Sequence, residues 1–204
     1  MLTSRREVSA MLDLVKQETE RIESRFLEPA CGTGNFLAEI LERKLCVVEN
    51  RYAKVQIEYE RNAVLAVSSI YGIDILEDNA EKCRQRLFDV FNSRYSSLFK
   101  DKAQDKCREA VRYILSLNII WGDALTLKTV GENPRLIVFA EWSPINGSWI
   151  KRRDFTFHEL LGQGEIKALP LFSDLGDEAF IPTPEKEYPP THFLEVASAH
   201  ERKR

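Results

Sequence analysis

The sequence predicts an α/β fold: a parallel sheet with helices on both faces. Three observations carry this. Helical and strand patterns alternate along the first 125 residues, as crossover units require. The first strand runs into a small-residue turn, Cys31-Gly32-Thr33-Gly34, that opens a helix. The first three strand patterns also end alike, each on an acid: Glu28, Asp74 and Asp123.

In chain order, residues 5–23 read as an amphipathic helix, with Val8, Met11, Leu12 and Val15 on one side. Residues 24–27 form a short strand, and a helix follows from Asn35 to about Leu45 with Phe36, Leu37, Ile40 and Leu41 as its apolar face. Residues 50–66 look helical, with Val55, Tyr59 and Leu65 as buried points, and 67–74 form the second strand. The acid-rich turn Glu77-Asp78-Asn79 suits a helix N-terminus and begins a helix over 77–99. Another helix spans 103–117, before a strand that stops at Gly122-Asp123. After residue 130 the pattern changes. Residues 136–142 make an apolar strand, Ser143-Pro144-Ile145-Asn146-Gly147 a turn, and 148–155 a returning strand, giving a hairpin. The organisation expected is a sheet domain over 1–130, a hairpin continuing it over 131–165, and an extended, proline-rich segment over 166–204 that needs another surface to lie on. Glu201-Arg202-Lys203-Arg204 are expected to be disordered.

Composition narrows the function classes. The 204 residues carry a net charge of -3, which argues against a chain that grips duplex DNA unaided. Cys31, Cys46, Cys83 and Cys107 form no C-x-x-C pair and lack a histidine at zinc spacing, so reduced thiols and no metal are expected. No apolar run approaches 18 residues, and the N-terminus lacks the apolar core of a signal peptide.

The segment from Phe26 to Leu37 is the most informative. Gly32 and Gly34 let backbone approach a ligand closely. The dinucleotide fingerprint would need a third glycine where Leu37 stands. A carboxylate at Glu28 is unwelcome beside a pyrophosphate but suits a ligand with positive groups, such as the ammonium and sulfonium of S-adenosylmethionine (SAM). In an open parallel sheet, ligands bind beyond the carboxyl ends of the strands, by the switch point. There Asp74 can accept both ribose hydroxyls and Asp123 the adenine amine, while Phe36 and Ile75 flank the ligand or merely pack.

Glu28-Pro29-Ala30-Cys31-Gly32-Thr33-Gly34-Asn35-Phe36-Leu37 resembles the first SAM-binding motif of adenine-specific DNA methyltransferases of restriction–modification systems. Tyr71-Gly72-Ile73-Asp74-Ile75 is similar to that family's ribose-binding strand end, and Ile120-Trp121-Gly122-Asp123-Ala124-Leu125 to its adenine-binding one. Residues 2–8 resemble the preceding motif, in which a threonine region contacts the cofactor carboxylate; Thr3 matches and Ser4 replaces its proline. The resemblance implies a Rossmann-like methyltransferase sheet, SAM as cofactor, Thr3, Glu28, Pro29, Ala30, Cys31, Gly32, Gly34, Asn35, Phe36, Asp74, Ile75, Asp123 and Ala124 around it, and a cytoplasmic protein of a prokaryote or phage.

The family's catalytic motif, Asp/Asn/Ser-Pro-Pro-Tyr/Phe, is missing. Its polar groups accept the hydrogens of the adenine amine and its ring stacks on the flipped base. Ser143-Pro144-Ile145-Asn146 lacks the second proline and the ring, and Tyr188-Pro189-Pro190 has its aromatic on the wrong side. The 62 residues from Ser143 onward would have to supply the remaining strands, their helices and a target-recognition region, too much at roughly 30 residues per strand–helix unit, which leaves the methyltransferase sheet incomplete. The first reading is therefore a split enzyme. This chain binds SAM, a second methyltransferase subunit carries the Pro-Pro-Tyr motif and DNA recognition, and double-stranded DNA is met through the heterodimer. Leu169, Leu171, Phe172, Phe180, Ile181 and Phe193 could wrap that partner. The alternatives are a divergent or inactive methyltransferase using Ser143 and Asn146 or serving as scaffold, and a SAM-dependent enzyme acting on RNA, protein or a small molecule.

Lesser signals read blandly. Lys151-Arg152-Arg153 could touch phosphate but suits a solvated edge better. His158 reads as a surface residue, His192 and His200 have no evident partner, Trp121 reads as core, and Cys31 is not expected to be a nucleophile.

Overall fold

A computed structural model describes residues 5–161 and 182–201. The chain is α/β, with one mixed sheet and one antiparallel sheet. Among the described residues no helix is long and apolar enough to cross a membrane.

The predicted first helix is two: α1 (Arg5–Asp13) and α2 (Lys16–Thr19). The break falls where Leu14 and Val15 donate to Met11 and Leu12, three residues back, which tightens and ends the helix. Val8 and Leu12 are buried, but Met11 faces out. After β1 (Phe26–Glu28) comes α3 (Asn35–Tyr52), a full two turns longer than the sequence suggests, because Leu45 and Val48 continue its buried stripe. Next come α4 (Gln56–Ser68), β2 (Ile70–Asp74) and α5 (Glu77–Phe99). Tyr59 is buried as expected, whereas Val55 precedes α4 and is exposed. Then follow α6 (Asp105–Asn118), β3 (Ile119–Asp123) and the two-residue β4 (Lys128–Thr129). The strand order is β1-β2-β3-β4, the first three parallel and β4 antiparallel.

Each crossover contributes two helices, and all four lie on one face. That face carries Phe26, Ile70 and Ile119, which pack with Leu37, Ala63, Cys83, Leu87, Val111 and their neighbours. Among the described residues the other face does not carry the expected second helical layer. Leu27, Tyr71, Ile73 and Ile120 pack instead against Ile137, Phe139 and Phe157. These belong to the segment formed by β5 (Val138–Asn146), β6 (Trp149–Thr156) and α7 (Phe157–Leu161). The predicted turn residues Ser143–Asn146 are the end of β5, and the reversal centres on Gly147 at φ 53°.

The hairpin runs from the carboxyl ends of β1–β3 back to their amino ends. Ile137 sits beside Gly122, Tyr71 donates its hydroxyl to the Ala140 carbonyl at 3.1 Å, and Glu141 pairs with Arg25, just ahead of β1. Ser143 and Pro144 end beside Glu23, Arg25, Ser68 and Ser69.

The described part of the C-terminal segment has its own surface to lie on. β7 (Lys186–Glu187) and β8 (Thr191–His192) both pair with β6, and α8 (Val196–Glu201) packs on α6. Phe193, a residue expected to wrap a partner, is fully buried in this chain's own core. Leu169, Leu171, Phe172, Phe180 and Ile181 lie outside the described residues, as do Arg202, Lys203 and Arg204.

Candidate functional site

Register brings the three strand-end acids onto one face. Glu28 is level with Gly72, two residues before Asp74; Asp74 is level with Trp121, two before Asp123. Side chains alternate along a strand, so Glu28, Asp74 and Asp123 all project to the helical side. Each acid steps two residues further along than the one before it, following the twist of the tips.

The glycine turn folds across the end of β2. The Cys31 amide donates to the Ile73 carbonyl at 2.9 Å and the Gly32 amide to Asp74 Oδ2 at 2.8 Å. Gly34 caps α3 at φ 81°, a left-handed conformation that favours glycine, and a Cβ there would lie 2.7 Å from Cys83 Sγ. A Cβ at Gly72 would lie 3.0–3.1 Å from Leu37 and Cys31. The turn is thus pressed onto α5 at Gly34 and onto β2 at Gly72, whereas a Cβ at Gly32, at φ 53°, would meet open space. No side chain caps α3, so its first amides, from Asn35 onward, stay available at the turn.

The acids differ in how far the chain itself satisfies them. Asp74 is nearly buried and accepts three hydrogen bonds: from Gly32, from the Leu76 amide at 2.9 Å and from Asn79 Nδ2 at 3.1 Å. Of about four acceptor positions on a carboxylate, one remains. Asp123 accepts from the Leu125 amide at 2.9 Å and Thr126 Oγ1 at 3.0 Å, and these bonds hold its carboxyl below the ordinary range. Glu28 receives one long bond, from the Ala30 amide at 3.3 Å, and burial pushes its carboxyl above the ordinary range. A half-buried carboxylate with so little compensation favours a cation beside it. The Cys31 thiol is pushed up by its hydrogen bond with Cys83 and by burial, so it is inert as a nucleophile.

The remaining predicted residues frame this edge. Pro29 and Ala30 are exposed in the turn; Asn35 and Phe36 are half-buried at the start of α3. Ile75 is 59% exposed just past Asp74, and its carbonyl accepts from Trp121 Nε1 at 3.0 Å. Ala124 packs under the sheet with Leu127 and Ile137. Thr3 lies outside the described residues. Asn79, Thr126 and Cys83 complete the local architecture and were not singled out from sequence. Only Thr126, three residues after an acid at a strand end, carries a readable turn signal.

The strand-tip site is a shelf outside the four main cavities of the described residues. One of these, about 870 Å³, is a groove between α3 and α5 whose near end touches Thr33. Its walls mix Glu42, Glu49 and Asp89 with Lys82, Arg86 and Arg94, which reads as a charged helix surface. No switch point adjoins the acids, because β1, the strand bearing the turn, has a strand neighbour only at β2 among the described residues.

The basic run is spoken for. Lys151 pairs with Glu187 at 2.6 Å and Arg153 with Glu141 at 2.7 Å. Arg152 meets Asp154 through two bonds, of 2.6 and 2.8 Å, donates to Tyr113 Oη at 2.8 Å, and lies over the Tyr188 ring. His158 is exposed, and His192 accepts from the Leu194 amide at 3.2 Å; the side chain of His200 lies outside the described set. Among the described residues no group of three or more metal-binding side chains occurs.

The chain matches no family model, no curated protein and no solved structure.

Proposed function

We propose that this chain is the SAM-binding subunit of a DNA adenine methyltransferase, its mixed sheet an incomplete Rossmann-like methyltransferase sheet. The observation that carries the reading is the constellation at the strand tips: three carboxylates on one face, beside a glycine turn closed at Gly34 and open at Gly32, with the least satisfied acid at the turn's entrance. The residues fit the cofactor. Glu28 would receive the ammonium of the methionine end, the turn would give backbone approach, and the open amides of α3 would face the carboxylate. Asp74 keeps one acceptor position, which supports one ribose hydroxyl and not the two that sequence alone suggests. Asp123 keeps capacity for the adenine amine, with Ile75 as an apolar surface for the ring. SAM, when bound, supplies an electrophilic methyl group on its sulfonium.

Acceptors for the target amine are the part this chain does not bring to the shelf. Ser143 lies at the amino ends of β1 and β2, and Asn146 is beyond it on β5; a five-residue strand separates those ends from the acids by about 13 Å. This disfavours a self-contained enzyme using Ser143 and Asn146, and supports a second subunit that carries the Pro-Pro-Tyr motif and DNA recognition. The ion pairs that engage Lys151, Arg152 and Arg153 likewise support leaving DNA contact to the partner. The test is a methylation assay on double-stranded DNA. The chain alone should bind SAM without transferring methyl groups, and the pair should transfer them. Robust DNA methylation by the isolated chain would overturn the split reading.

A further inference from the structure

We infer that the strand-tip end of the sheet is also the docking surface for that second protein chain, and that the partner presents there an apolar patch ringed by basic side chains. This rests on the reading above and adds the place and chemistry of the partner. Four exposed aliphatic residues gather at this one end. Ile75 and Leu76 follow β2, Leu125 follows β3 and is 94% exposed, and Leu136 is bridged to Lys128 of β4. Single exposed leucines are ordinary, but four at the ends of neighbouring strands make this rim apolar.

Charge selects among the possible occupants. Glu28, Glu77, Asp78 and Asp123 surround the patch on the β1 to β3 side. Among the described residues, Lys82 there is held by Asp78 at 2.8 Å, Arg86 lies further along α5 on a cavity shared with Asn35, and Lys128 and Arg135 stand at the β4 side. A duplex would set its phosphates against these acids, and a second copy would set acid against acid; both are disfavoured. A protein with a basic rim is attracted. The hairpin adds an independent reason, since Ser143 and Pro144 lie at the opposite end of the sheet. Groups that accept the target amine must therefore arrive over this rim.

The test places a photo-crosslinking amino acid at Leu125 in the full chain in its native cells, and at Ile145, exposed on the hairpin, as the comparison. The expected result is an adduct from Leu125 only, with one polypeptide that mass spectrometry identifies as carrying a Pro-Pro-Tyr or Pro-Pro-Phe segment. Leu136→Asp should then weaken that complex about tenfold or more, with SAM affinity unchanged. Adducts with DNA, with a second copy or with a protein lacking that segment would overturn the inference, as would equal yield from Ile145 or none from Leu125. Calorimetry on the unmodified chain separates the two levels. If SAM binds but Leu125 gives no such adduct, only the docking inference fails; if SAM does not bind, the functional reading fails.

Discussion

Glu28 and Gly34 carry the sharpest consequences at the scale of single residues. Burial raises the folded-state pKa of Glu28 above its unfolded value. The folded chain therefore binds more protons than the unfolded one between those values, and ionised Glu28 weakens the fold as pH rises through them. Glu28→Gln should leave thermal stability equal or higher at neutral pH, with the difference vanishing below the ordinary carboxylate range, while SAM affinity falls about tenfold or more. Melting curves across pH check the first part and titration calorimetry the second; a residue with a purely structural role would lose stability instead. Gly34→Ala forces a side chain into a left-handed position against Cys83 and should cost about 2–4 kcal/mol in denaturant unfolding, part of it restored by Cys83→Ala. The motif was legible in the sequence because its glycines and acid are chemically unusual at a strand end. The triple engagement of Asp74 was not: the Leu76 and Asn79 bonds are local turn contacts, but the Gly32 amide reaches it from 42 residues away, only once β1 and β2 are paired.

At the scale of elements, the helices of the crossovers were readable where a buried stripe is long and capped by charge. Over 77–99, Ala80, Cys83, Leu87, Phe91 and Tyr95 keep helical spacing behind Glu77 and Asp78. Boundaries failed where pattern alone decided, as at 67–69, where Val67 and Ser68 complete α4 before β2 starts. Lys44 illustrates what spacing hides. It is fully buried in α3, and its ammonium donates to the carbonyls of Arg21, Ile22 and Ser24 and to Ser69 Oγ at 2.5–3.0 Å. One side chain, its pKa lowered by burial to about 7, thus ties the segment before β1 to the start of β2. Lys44→Met removes the donor to the Arg21 and Ser24 carbonyls, with Ile22 left to Ser69 Oγ, and should destabilise the chain by about 2–4 kcal/mol in chemical denaturation. Arg152, held by Asp154, Tyr113 and Tyr188, fastens the C-terminal segment to the hairpin. Arg152→Leu should raise hydrogen exchange over 185–196 more than anywhere in β1 to β3.

The whole molecule departs from its sequence reading in one respect that matters for function. Alternation of patterns predicts helices on both faces, yet an apolar hairpin covers the second face, because Ile137 and Phe139 continue a strand pattern across Tyr71 and Ile73. Nothing in local periodicity reveals which layer a hairpin will join. Its direction carries Ser143 away from the acids, so cofactor binding and base chemistry separate onto two chains in the proposed enzyme. The central claim, a strand-tip shelf that grips a cationic nucleoside, is tested most directly by titrating the isolated chain with SAM in a calorimeter. The expected result is saturable one-to-one binding that weakens about tenfold or more in Glu28→Gln, a variant that keeps its fold. Absence of binding, or an affinity indifferent to Glu28, would contradict it.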